Sequence, residues 1–153
     1  MTIEERILEL GLVLPPAPPS GGIYKPVVIT GNLIYISGQP PTREDGSLIK
    51  GKVGTDLTLE EGQLAAKQTA LTMLATLRRE LGDLDKIGRL IKSLGMVNCL
   101  SDFEQHPQVI NGYSQLMVDV LGDDNGKGAR SAVGLTLPGN IAVEIEAILE
   151  MNE

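Results

Sequence analysis

Arg130, Glu144 and Glu146 are the side chains of this 153-residue chain whose types and placement best suit chemistry. Near the C-terminus Ile141, Val143, Ile145 and Ala147 alternate with Ala142, Glu144, Glu146 and Ile148, the two-residue period of a strand with one apolar face. If the first set meets a core, both carboxylates project from the opposite face, with Cα atoms about 6.6–7 Å apart. The plain reading is two solvated acids. A sheet face hidden in an oligomer would instead oblige each carboxylate to find a partner. Arg130, just ahead of what reads as the adjoining strand, is the natural candidate, and taken alone an Arg–Glu pair there reads first as a structural salt bridge and only second as a site.

Other reactive types carry weaker signals. Cys99 lies in an apolar run and reads as a buried structural thiol. His106, the single histidine, precedes Pro107 and reads as a residue of a helix start. Gly122 to Lys127 has the look of a phosphate loop, but it is one residue short and Gly128 stands where Ser or Thr is required. Ser131 has no base near it in sequence and no nucleophile-elbow motif around it.

The elements that must position these residues follow from period and caps. Thr2 and Glu5 form a capping-box pattern ahead of Ile3, Ile7 and Leu10, and Gly11 ends that short helix. A Pro-rich strap runs from Leu14 to Gly22 and must be irregular. Val27–Thr30 and Leu33–Ser37 flank Gly31-Asn32 and predict a β-hairpin, and residues 48–53 suggest a further short strand. Thr58 with Glu61 opens a long helix carrying Leu64, Ala65, Leu71, Leu74, Leu77 and Leu81 and closing near Gly82. A strand is expected over 87–100 and a helix from Pro107 with Val109, Ile110, Tyr113, Met117, Val120 and Leu121 on one face. Strands over 131–137 and 141–149 follow, separated by a turn at Pro138-Gly139-Asn140. Strands interleaved with helices predict one α/β (α+β) domain over 1–153, a sheet with helices on one face, with 1–21 as N-terminal helix and strap.

Composition narrows the function classes. Thirteen basic against twenty acidic side chains give a formal charge of −7, and there are four aromatic residues in all: three Tyr and one Phe. A negative chain with few rings to stack on bases disfavours nucleic acid as a partner. A single cysteine leaves no intrachain disulfide and no Cys/His zinc cluster, no secretory signal is visible, and no apolar run reaches the roughly 18–20 residues of a membrane span. The expected setting is therefore cytoplasmic, without membrane partners.

The run from Ala129 to Ile148, which opens Ala129-Arg130-Ser131 and closes Glu144-Ile145-Glu146-Ala147, resembles the signature of the Rid (YjgF-like) family, historically endoribonuclease L-PSP. The stretch Gly31 to Gln39 resembles that family's first hairpin, and Asp102-Phe103 with Asn111 its second helix. The resemblance spans about 22–149, and the Thr2–Pro19 extension resembles a longer-chain subgroup. It implies a chorismate-mutase-like fold, a mixed β-sheet backed by two helices, with three copies forming a trimeric barrel whose ligand sites lie between subunits. It further implies hydrolysis of small enamine or imine acids to 2-oxo acids and ammonia, with no cofactor or metal and a small carboxylate-bearing metabolite as partner. On the matching positions Arg130 binds the carboxylate, Glu144 orients water, Tyr24 and Asn111 line the cleft, and the Ala132 N–H adds a donor. A guanidinium fork holds a carboxylate through two parallel bonds, which Lys cannot copy. Many deaminase members carry Cys where this chain has Ala132. That departure motivates a second expectation, a protein that binds 2-oxo acids without turnover. Ribonuclease activity rests on the historical name alone.

Overall fold

A computed structural model describes residues 1–153, and its first helix, α1 (Ile3–Glu9), begins where Thr2 and Glu5 exchange the two hydrogen bonds of a capping box. The same device starts α2 (Leu59–Leu81), through Thr58 and Glu61, and Gly82 closes it in the left-handed region. The third helix, α3 (His106–Leu121), opens with Pro107 in its first turn and buries Val109, Ile110, Tyr113, Leu116, Met117 and Val120. Leu121, expected on that face, is only partly buried.

Five strands form one sheet: β1 (Val27–Thr30), β2 (Leu33–Gln39), β3 (Ile87–Asn98), β4 (Ala129–Leu135) and β5 (Val143–Met151). Their spatial order is β1-β2-β5-β3-β4, antiparallel throughout except that β4 runs parallel to β3. The hairpin at Gly31-Asn32 and the long helices match the sequence reading. β4 and β5 each lie two residues from the expected bounds, because Pro138–Asn140 forms a 3₁₀ turn and Ile141 bridges Lys50 instead. Residues 48–53 form no strand. Isolated bridges hold Leu48, Lys50 and Val53, and Gly51 and Gly54 with positive φ break any regular ladder there. The alternation read in β5 holds: Val143, Ile145, Ala147 and Leu149 are buried under the helices, while Glu144, Glu146 and Ile148 face away.

One expectation is overturned. β4 does not adjoin β5, because β3 lies between them and pairs with both. β4 lies on the edge of the sheet, and after the compact turn at 138–140 the chain crosses over β3 to reach β5.

The two long helices cover one sheet face and touch each other backbone to backbone. A Cβ on Gly112 of α3 would overlap the Gln63 carbonyl of α2. Tyr113, fully buried beside it, shares a 2.8 Å hydrogen bond with Ser93 Oγ on β3, and burial keeps its phenol neutral far above the ordinary range. No helix is long and apolar enough to cross a membrane. Gly112→Ala gains at most about 1 kcal/mol of helix preference. The backbone overlap, which no rotamer relieves, costs about 1–3 kcal/mol. Thermal unfolding should therefore show a lowered midpoint, and an unchanged midpoint would mean that the helices are free to separate.

Candidate functional site

The pleat decides where each reactive side chain points. In β3, Ser93, Gly95 and Val97 face the helices while Lys92, Leu94 and Met96 face the open side. Arg130 is level with Ser93 and Ala132 with Gly95, so both lie on the helix side of edge strand β4. Glu144 is level with Met96 and Glu146 with Leu94, on the open side. Arg130 and Glu144 are thus two strands and three residues apart, about 14 Å between Cα atoms, on opposite faces of the sheet. They form no ion pair with each other. The expected pairing of the two within one chain is corrected accordingly.

Each instead anchors its own cluster. Arg130 Nη1 donates to Asn111 Oδ1 at 2.9 Å and to Ser114 Oγ at 3.0 Å. Asn111 and Ser114 lie three apart on α3 and so share a face. Both hydrogens of Nη1 are used, and the Nε–Nη2 side of the fork is left without a protein partner. The Leu135 carbonyl accepts from the Cys99 N–H, so Leu135 bonds toward β3. In a parallel ladder with unbroken register, bonding alternates by residue, which turns the N–H groups of Arg130, Ala132 and Gly134 outward to the free edge. An exposed guanidinium and an unpaired N–H two residues apart make a cradle for a small anion.

The second cluster surrounds Glu144. Its carboxylate lies over Gly38 of β2, at the register shift between Ile36 and Gln39, where a Cβ would collide with Oε2. Together with Tyr24 and the strap residues Pro18 to Gly21 it lines a cavity of about 180 Å³. The strap is held down by Arg79, whose Nη1 donates to the Pro18 carbonyl at 2.8 Å, and Arg78 grips Glu4 of α1 through Nε and Nη2 at 2.7 and 2.8 Å. The Gly21 N–H donates to Tyr24 Oη at 3.0 Å. Buried Gln39 in the cavity wall is fixed by the Thr76 hydroxyl at 2.7 Å. Burial, and then the like charge of Glu146, push the Glu144 carboxyl above the usual carboxylate range. The charged form is disfavoured by both causes, which moves this acid toward the behaviour of a general base.

Of the residues singled out in the sequence, Arg130, Asn111 and the Ala132 N–H are brought together, and Tyr24 joins Glu144. Ser114 and Gly38 escaped the sequence reading. The first had a signal in its three-residue spacing from Asn111, and the second in the Ser37-Gly38-Gln39 break that ends the strand.

A family model described as YjgF/chorismate mutase-like, putative endoribonuclease, matches residues 4–142. The chain belongs to the YjgF/chorismate mutase-like family. Protein TCP17 of Trypanosoma cruzi is 36% identical over 98% of this chain and 94% of its own length. A crystal structure of Atu1372 from Agrobacterium tumefaciens, of unknown function, is 44% identical, covers 98% of this chain and 92% of that one, and superposes with a TM-score of 0.89. A putative endoribonuclease from Shewanella oneidensis is 29% identical over 98% of this chain and 99% of its own, with a TM-score of 0.92. The mixed sheet backed by two long helices is thus the fold of this YjgF-like family.

The two causes acting on Glu144 are separable. Glu146→Gln removes the like charge and leaves the burial, so the Glu144 midpoint should fall toward, without reaching, the ordinary carboxylate range. Carboxyl ¹³C NMR titration reads this directly. An unmoved midpoint would show that Glu146 is electrostatically remote.

Proposed function

We propose that the protein hydrolyses small 2-imino and enamine acids to 2-oxo acids and ammonia at a site shared between copies of the chain. The observation that carries this reading is the Arg130 fork, fixed through one nitrogen by Asn111 and Ser114 and open along Nε and Nη2. A planar carboxylate accepts from both donors of that open side, and the Ala132 N–H adds a third. What one chain lacks beside Arg130 is a base, and what it lacks beside Glu144 is a cation. A second copy whose Glu144 cavity abuts the free β4 edge supplies both.

Other features support such a neighbour. The open face of the sheet carries Val28, Tyr35, Leu94 and Ile148 around a depression of about 500 Å³, with Val28 and Tyr35 exposed. Apolar sheet faces of this kind are covered in stable proteins, and closed rings of identical subunits are the common solution. A homotrimer closing its sheets into a barrel is the arrangement we favour.

In the proposed reaction Glu144 takes a proton from water as the oxygen adds to the imine carbon, and that proton passes to the imine nitrogen. The resulting carbinolamine gives its hydroxyl proton through Glu144 to the same nitrogen as the C–N bond breaks. One water is consumed, and a 2-oxo acid and ammonia leave. A carboxylate whose pKa is raised by burial suits both transfers, since it takes a proton from water more readily than an ordinary carboxylate and is still acid enough to protonate the amine nitrogen. The position of Ala132 holds a methyl group, and no step above requires a thiol there.

The second reading, binding of a 2-oxo acid without turnover, is favoured by the separation of Arg130 from Glu144 within one chain. The Arg130 cradle alone could bind without a base. Ribonuclease chemistry finds little support in a −7 chain with one histidine. Imines generated by an amino-acid oxidase separate the first two readings. Wild type should accelerate 2-oxo acid release. Arg130→Ala should lower kcat/KM by about 100-fold or more, as the loss of a charge-assisted bidentate contact implies, and Arg130→Lys should recover little of it. Glu144→Gln should chiefly lower kcat. Binding of pyruvate with no acceleration by wild type would favour the second reading.

A further inference from the structure

Between Leu12 and Pro26 no backbone group of the chain bonds to another backbone group. Pro15, Pro16, Pro18 and Pro19 remove four N–H donors from this stretch, so no ladder ties the strap to the sheet. Its near end is fixed by buried Pro15 and by Leu14, which packs against the core. At its far end the Ser37 hydroxyl donates to the Lys25 carbonyl at 2.7 Å. The bonds from Ser20 Oγ to the Tyr24 carbonyl and from the Gly21 N–H to Tyr24 Oη tie the strap only to itself. In the span between, one side chain of the domain body hydrogen-bonds to the strap. Arg79 Nη1 donates to the Pro18 carbonyl at 2.8 Å and, more weakly, to that of Ala17 at 3.5 Å. The grip falls at the start of the segment Pro18 to Gly21 that covers Glu144. Arg78, its neighbour in the last turn of α2, points about 100° away and holds Glu4 of α1 instead. Tyr24 is packed against the same strap. A Cβ on Gly21 would stand 3.3 Å from its hydroxyl, and one on Gly22 3.4 Å from its ring. Where the strap lies, Tyr24 lies.

We infer that Arg79 is a positioning residue for the Glu144 site: by holding the Pro18 carbonyl it sets the strap that roofs the carboxylate and carries Tyr24, without itself touching substrate. This rests on the proposed reading of Glu144 as the group that moves the proton. Around that carboxylate the strap, Gly38 and Gln39 of β2 and Thr76 of α2 carry no ionisable group, Tyr24 offers a phenol, and Glu146 on β5 supplies a like charge. Lys25 and Lys92 lie beside Glu146 on the open face, and in the proposed assembly Arg130 of another copy is the cation that approaches. Loosening the grip lets water reach Glu144. Lost burial favours the charged form, so the midpoint of this acid falls. Loss of the Arg79 charge by itself acts the other way and would raise it. The direction of the change therefore separates a roof from a charge.

Carboxyl ¹³C titration of Arg79→Ala tests this whether or not the chain turns over. The Glu144 midpoint should fall below that of wild type. Arg79→Lys should restore most of the difference, because an ammonium still donates to the Pro18 carbonyl. Glu4→Ala frees α1 from Arg78 and leaves Arg79 in place, so it should keep the wild-type midpoint. With imines as substrate, Arg79→Ala should lower kcat by about tenfold or more, within the roughly 100-fold that a small misplacement of a reacting group costs. KM, set by Arg130, should change by less than about twofold. The acid limb of the kcat/KM profile should move to lower pH together with the midpoint. A Glu144 midpoint that stays or rises in Arg79→Ala would overturn the inference. So would an equal fall in Glu4→Ala, which would mean that general loosening of the N-terminal segment, and not the grip on Pro18, sets the roof. If wild type does not turn imines over at all, the reading of Glu144 as a base fails, and the titration still decides whether Arg79 holds the strap.

Discussion

β3 pairs on one side with β4, in parallel, and on the other with β5, antiparallel, and the pleat of this central strand fixes the direction of every reactive side chain beside it. Ser93 and Gly95 turn toward the helices and carry Arg130 and Ala132 with them. Met96 and Leu94 turn away and carry Glu144 and Glu146. Slipping the β3–β5 ladder by one residue would exchange the two faces of β5 and bury its carboxylates under α2 and α3, at a cost that excludes it. The interleaved strand therefore keeps Arg130 and Glu144 of one chain apart, and in the proposed reading each is half of a site.

Each half is prepared separately. Arg130 is an exposed side chain on a sheet edge, where a long flexible cation ordinarily wanders. Asn111 and Ser114 take two of its five donors and leave the fork aimed with fewer rotamers to lose on binding. Glu144 is treated the opposite way. Gly38 gives its carboxylate room against the backbone, and the Pro-rich strap, pinned by Arg79, closes over it. Glu146 two residues on adds a like charge. The cation is held in the open and the acid is sheltered, the division expected where a charged substrate must be captured first and a proton moved second.

Much of this was legible in the sequence where the physics is local. The capping boxes at Thr2 and Thr58, the apolar faces of α2 and α3, the hairpin about Gly31-Asn32 and the alternation through Glu144 and Glu146 all depend on neighbours within a few residues. What depends on remote partners was not. The parallel pairing of β4 with β3 joins Arg130 to Ser93, thirty-seven residues earlier, and no period in the sequence announces it. The last two strands, separated by the short turn at Pro138-Gly139-Asn140, read as adjoining and are not. Residues 48–53 carry strand-like types, but Gly51 and Gly54 bend them into single bridges. The candidate residues Arg130, Asn111, Ala132, Tyr24 and Glu144 came from motif resemblance, and only the coordinates sort them into two clusters.

The central claim is that Arg130 of one copy and Glu144 of another make one working site. Co-expressing Arg130→Ala and Glu144→Gln chains in equal amounts tests it most directly. In a closed ring assembled at random, half of the Arg130 sides and half of the Glu144 sides are intact. About one quarter of the sites then combine both, and imine hydrolysis should return to about one quarter of the wild-type rate. Mixed oligomers no more active than the two parent variants would contradict the account, since they would mean that each site draws both residues from the same chain or uses neither.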